Sequence, residues 1–164
     1  MKNPFTSLPK KKPETRYYVK TYRQATPIIA AVNIYSGLAS AILTYAIDEM
    51  NVKNECEANL QDLDTALGIK NAATRTKALN VLRMMNLIET STCNRTGITK
   101  FRINSKAYST ESEVAALKSS TFHEDLNFAA LDENGFIKEE AIKNFKARKP
   151  ALKKVKEDKD GIPF

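Results

Sequence analysis

Residues 59–108 read NLQDLDTALGIKNAATRTKALNVLRMMNLIETSTCNRTGITKFRINSKAY, and the patterning of this stretch decides the fold. Asn59 followed by Asp62 is a capping arrangement that opens a short helix with Leu60, Leu63, Ala66 and Leu67 on its inner side. Gly68 ends that helix and Ile69 plugs the core. Asn71 then caps a second helix, which runs to about Asn86 with Leu79 and Leu82 facing in. Two β runs follow, roughly 88–93 and 98–103, on either side of NRTG. In the second run Phe101 and Ile103 alternate with Lys100 and Arg102, the pattern of a half-exposed strand.

Upstream, residues 27–47 (PIIAAVNIYSGLASAILTYAI) form a 21-residue stretch without a charge, long enough to span a bilayer. Asn33, Gly37, Ser40 and Thr44 fall at helical spacing and make one polar-to-small stripe, which marks an amphipathic or largely buried soluble helix. Thr26 and Pro27 are an N-cap and N1 pair, so one long helix is expected from there to about Met50. The small residues at 36, 37, 40 and 41 would permit close packing, including across a homodimer. NVKNECEAN reads as a polar loop. RYYVKTYRQ (16–24) interleaves Tyr17, Tyr18 and Tyr22 with cations, and suits an edge strand or a base-stacking, phosphate-binding arm. Residues 1–15 hold three prolines and a lysine run and read as a flexible basic arm. Downstream of the patterned stretch, residues 109–164 read as a largely disordered linker ending in a protein-docking peptide, with short helices at 111–118 and 138–147. The domain proper is thus expected over 16–108.

Composition bounds the partner. Across 164 residues, 26 Lys and Arg outweigh 19 Asp and Glu, a net charge of +7 that favours a polyanion: nucleic acid first, an anionic membrane next. Cys56 and Cys93 lack CxxC spacing and no secretory signal is visible, so a reducing cytoplasm is expected.

The order of short helix, Gly-Ile turn, second helix and hairpin resembles the winged helix-turn-helix superfamily. LDTALGIKNAATRTKALNVLRMMNLIE follows that pattern, and the likeness covers about residues 59–104. The expected fold is therefore mainly α with a small β-hairpin (α+β), a winged helix-turn-helix with a long N-terminal helix and a flexible C-terminal tail. The turn is one residue longer than usual, which places Thr74 well but puts Arg75 where a small apolar residue is expected. By this resemblance the second helix enters a DNA groove. Ala73, Thr76, Lys77 and Asn80 share its outer face, and Lys70 and Asn71 sit at its N-terminus, where the helix dipole favours phosphate. Thr74, Arg75 and, from the wing, Arg95, Lys100 and Arg102 complete the expected DNA-binding set. Loosely, small plasmid replication proteins with a winged helix show a similar order, ending in an Ile-Asn dipeptide, here Ile103 and Asn104.

Catalysis is not expected. The single histidine, His123, removes His-based metal clusters, no glycine-rich phosphate loop exists among five glycines, and no cofactor is implied. The end of the chain, EDKDGIPF, is similar to the acidic tip of bacterial single-stranded DNA-binding proteins. That likeness implies that Ile162, Pro163 and Phe164 enter an apolar pocket on a replication or repair protein, while Asp158 and Asp160 meet its basic rim. Lys159 and Gly161 depart from the pattern. Together the likenesses imply a plasmid- or phage-type DNA-binding replication protein, of the initiator, accessory or single-strand-binding kind, that recruits host proteins. The alternatives are a winged-helix transcriptional regulator and a one-span membrane protein.

Overall fold

A computed structural model of the chain describes residues 2–7, 18–110, 115, 118 and 120–145. It is a mixed α+β structure with a small antiparallel sheet of four strands and a second, two-stranded one. β1 is Thr6–Ser7, β2 Lys20–Thr21, α1 Thr26–Tyr35, α2 Gly37–Glu49, β3 Glu55–Asn59, α3 Leu60–Leu67, α4 Ala72–Met84, β4 Ile88–Thr92, β5 Ile98–Ile103, β6 Tyr108–Ser109 and α5 Glu139–Asn144. The larger sheet runs β1-β3-β5-β4, and β2 pairs with β6.

The single helix expected over 27–50 is two. Ser36 takes an extended conformation (φ −146°, ψ 104°), and its N–H closes α1 on the Val32 carbonyl at 2.9 Å. Its hydroxyl accepts the Ala39 N–H at 3.1 Å, so one serine ends α1 and caps α2. The break lets the two helices bury separate faces: Ile28, Ala31 and Val32 from α1, and Ala39, Ile42, Leu43 and Ala46 from α2. The polar stripe lies outside, where the Ser40 hydroxyl donates to Asn33 and the Thr44 hydroxyl to the Ser40 carbonyl. No helix among the described residues is long and apolar enough to cross a membrane.

The polar loop expected at 51–59 contains β3. Asn51 Oδ1 accepts the N–H groups of Lys53 and Glu55, and Asn54 sits at φ +58°, so the chain turns sharply into the strand. Asn54 is buried, and its Nδ2 donates to the carbonyls of Ile103 (3.2 Å) and Tyr108 (2.8 Å), which fixes the turn against the end of β5. Cys56 and Ala58 carry the apolar side of the strand. Such small residues between glutamates gave no visible alternation.

The helical pair forms as its capping residues dictate. Asn59 Oδ1 accepts from Gln61 and Asp62, Gly68 closes α3 at φ +65°, and the Ile69 N–H returns to the Asp64 carbonyl. Asn71 Oδ1 accepts the Thr74 N–H at 2.9 Å and starts α4, which buries Ala78, Leu79, Val81, Leu82 and Met84. β4 and β5 pair from Ile88↔Ile103 to Thr92↔Thr99.

Both ends depart from expectation. Residues 2–7 are not a free arm: Thr6 and Ser7 pair with Glu57 and Cys56, and Phe5 is buried edge-on against Phe101 with ring centroids 4.9 Å apart. Apolar contact outweighs the local proline content there. Between 18 and 24 only Lys20 and Thr21 are strand, paired with Ser109 and Tyr108, while residues 16 and 17 lie outside the described residues. The linker expected to be largely disordered is ordered over 120–145. Asn104 Nδ2 donates to the carbonyls of Asn86 and Glu124, and Asn127 Nδ2 to that of Met84. A bridge between Leu131 and Ile137 leads into α5, and Ile137 is buried. Polar composition hid this segment because side-chain amides, rather than apolar periodicity, attach its first half.

Candidate nucleic-acid interface

The exposed N-terminal half of α4 and the β4–β5 turn form the candidate surface. Lys70, Asn71, Ala73, Thr74, Thr76 and Lys77 are exposed, as is Arg95 in the turn. Asn71 and Thr74 are partly committed to each other, since the Thr74 hydroxyl and N–H both donate to Asn71 Oδ1 at 2.9 Å. That leaves Asn71 Nδ2 and the Thr74 lone pairs for a ligand. Lys70, Lys77 and Arg95 make no ion pair among the described residues, and they are the cations this surface offers to an anion.

Three expected contacts are placed elsewhere. Arg75 turns inward and pairs with Asp64 of α3, the two side chains only 14% and 22% exposed. This position of α4 faces α3, and an arginine so little exposed needs a carboxylate partner. Lys100 pairs with the buried Glu55 across the β3–β5 ladder, and Arg102 lies 3.7 Å from its cross-strand neighbour Glu89. These three cations hold elements together. Asn80 is half-buried and accepts from Arg83 Nη1 at 2.9 Å.

Arg83 was not among the expected residues, yet it links α4 to β4. Its Nε and Nη2 donate to the Thr90 hydroxyl on β4, at 2.9 and 2.6 Å, while Nη1 holds Asn80 on α4. Burial lowers its pKa from the ordinary arginine value. An Asn three residues before an Arg is a helical-neighbour signal, but the Thr90 partner requires the hairpin register.

In the turn, Gly97 at φ +69° donates its N–H to the Cys93 carbonyl at 2.8 Å, and the Cys93 N–H donates to the Ile98 carbonyl. Cys93 is exposed, and hydrogen bonds from the Thr96 hydroxyl, then from the Thr96 and Arg95 backbone, hold its thiol below the ordinary range. Cys56 is buried, and burial pushes its thiol up. No group of three metal-ligating side chains occurs among the described residues. Asp158, Asp160, Ile162, Pro163 and Phe164 lie outside the described residues. No protein-family description, curated protein or solved structure matches the chain.

Proposed function

We propose that the chain is a DNA-binding protein of the winged helix-turn-helix type. The observation that carries this reading is topological. The chain runs α2-β3-α3-α4-β4-β5 with β5 between β3 and β4, and the cap of α4 is exposed. In this reading Thr76 and Lys77 face base edges or phosphates in the major groove, Lys70 and the N-terminus of α4 meet a backbone phosphate, and Arg95 reaches the flanking groove or backbone.

Lys77 and Arg95 each neutralise about one phosphate. The Lys77→Ala, Arg95→Ala double variant is therefore expected to lower the slope of log affinity against log salt by about two, with weaker binding at low salt. Fluorescence anisotropy at several salt concentrations reads this slope. Lys100→Ala, which removes a sheet ion pair instead, is the contrast and should leave it nearly unchanged. An unaltered slope in the double variant would sink the α4 and hairpin site.

The C-terminal likeness extends the proposal: a mobile-element-type replication protein whose Ile162–Pro163–Phe164 end recruits a host replication or repair protein. Deleting residues 162–164 is expected to abolish binding to a purified host protein that recognises single-stranded DNA-binding protein tails, with DNA affinity unchanged. Retained partner binding refutes the recruiting role and leaves the DNA reading standing.

A further inference from the structure

β4 is the last strand of the larger sheet, and no strand lies along its outer edge. The Asn104 N–H donates to the Leu87 carbonyl and the Cys93 N–H to the Ile98 carbonyl, both at 2.9 Å. Alternate residues of an antiparallel ladder face the partner strand, so Leu87, Glu89, Ser91 and Cys93 turn their backbone groups toward β5. The N–H and carbonyl groups of Ile88, Thr90 and Thr92 therefore point away from β5. They have no hydrogen-bond partner among the described residues.

Sheet edges that stay alone are commonly guarded by a proline, a lysine, a bulge or a covering element. β4 reads IETST, without proline or lysine, and its ladder with β5 runs without a bulge. Ile88, Thr90 and Thr92 are β-branched, the type that suits a paired strand. Thr92 is exposed and Thr90 half-buried. Arg83 fastens the Thr90 hydroxyl from α4, so the middle of the strand is held in place before any pairing.

We propose that the free edge of β4 pairs antiparallel with β4 of a second copy of this chain, joining two four-stranded sheets into one across a two-fold axis. Charge selects the register. A pairing centred on Glu89 sets two carboxylates directly opposite each other, which destabilises it. One centred on Thr90 brings together two Arg83 guanidinium groups, each fastened to its own Thr90 hydroxyl. Centred on Ser91, the pairing puts two small hydroxyl side chains at the axis and sets Thr90 opposite Thr92 of the second copy. No carboxylate or guanidinium then faces its like. Each Thr90 and Thr92 pair exchanges two N–H to carbonyl bonds, four across the axis, from groups that one copy alone leaves unpaired. The proposal stands independently of the DNA reading.

Disulfide trapping of the full chain tests it. Ser91→Cys and Glu89→Cys are each made in a Cys93→Ser background, which removes the exposed native thiol. Opposed residues of a narrow antiparallel pair have Cα atoms about 4.5 Å apart, within reach of a disulfide, whereas Glu89 stands about 14 Å from its counterpart in this register. Mild oxidation is expected to give a covalent dimer with Ser91→Cys and to leave Glu89→Cys monomeric. Equal trapping of both, or trapping of neither, overturns the proposal. Amide exchange of the unmodified chain is a second measure. The Thr90 and Thr92 amides should gain protection as concentration rises, while those of Glu89 and Ser91 are protected by β5 throughout. Exchange at Thr90 and Thr92 that ignores concentration counts equally against the edge. Thr92→Pro removes an outward N–H and the hydroxyl contact with Thr99 but no ladder bond, so the chain should fold and sediment as a monomer. A dimer that survives Thr92→Pro and is lost in Ser40→Arg belongs to the small-residue stripe of α2 and refutes pairing through β4.

Discussion

Phe101→Ala is expected to cost about 3–5 kcal/mol of folding stability, the range for emptying a fully buried phenylalanine site. Phe101 is completely buried in the central strand β5, between β3 and β4, so its neighbours come from the sheet, α2 and the N-terminal segment and cannot all collapse into the space. Phe5 meets the ring edge-on, an arrangement worth a further 0.5–1.5 kcal/mol or so beyond area burial. For a chain of this size the melting temperature should fall by roughly 10–20 °C. A Phe5→Ala, Phe101→Ala double variant should cost less than the sum of the singles, because Phe5 has already lost its partner in Phe101→Ala. Urea denaturation of the four proteins gives all of these quantities. A loss under about 1 kcal/mol for Phe101→Ala would mean that β5 is not the centre of the core.

Asn104→Ala should act more selectively. The residue is fully buried. Its Nδ2 donates to the Asn86 and Glu124 carbonyls, both at 2.7 Å, and its Oδ1 accepts the Lys106 N–H at 2.9 Å. At about 1 kcal/mol per bond, with partners left unpaired, the substitution costs about 3 kcal/mol. Part of that loss is local. The carbonyl of Glu124 anchors the segment that continues through Asn127, whose N–H and side chain reach the Met85 and Met84 carbonyls. Hydrogen exchange should therefore accelerate at the Asn127 and Ala130 amides before it does in β5. Asn104→Asp keeps the Oδ1 acceptor but loses both donors, so it should destabilise at least as much. Uniform acceleration across the whole chain in Asn104→Ala would contradict a local tether.

Those two residues mark what was legible in the sequence. The alternation that put Phe101 inward and the caps at Asn59, Gly68 and Asn71 depend on neighbours within a few positions, and local pattern exposes them. Other features depend on distant partners. The outward side of β5 is visibly charged in the sequence, but Lys100 and Arg102 meet Glu55 and Glu89, and only the folded sheet brings those acids alongside. Arg75 was legible as an anomaly without its solution, because Asp64 sits on the preceding helix. Ser36 stops one helix and starts another through two hydrogen bonds, a conformation that nothing in an uncharged, helix-spaced stretch announces. The docked segment over 120–145 is hidden in the sequence for a related reason: amide side chains bonding to remote carbonyls leave no periodic trace.

The Arg83 brace gives the proposed DNA surface a thermodynamic character. With one guanidinium fastened to Asn80 on α4 and Thr90 on β4, the helix and the hairpin are set at a fixed spacing before any ligand arrives. The ordering entropy is then met once, during folding, instead of at every encounter, where each immobilised side chain would cost about 0.5–1.5 kcal/mol. A rigid two-pronged surface of this kind also discriminates. If the proposed DNA reading holds, it would reward a duplex whose groove spacing fits and gain little from one that must be bent to reach both prongs.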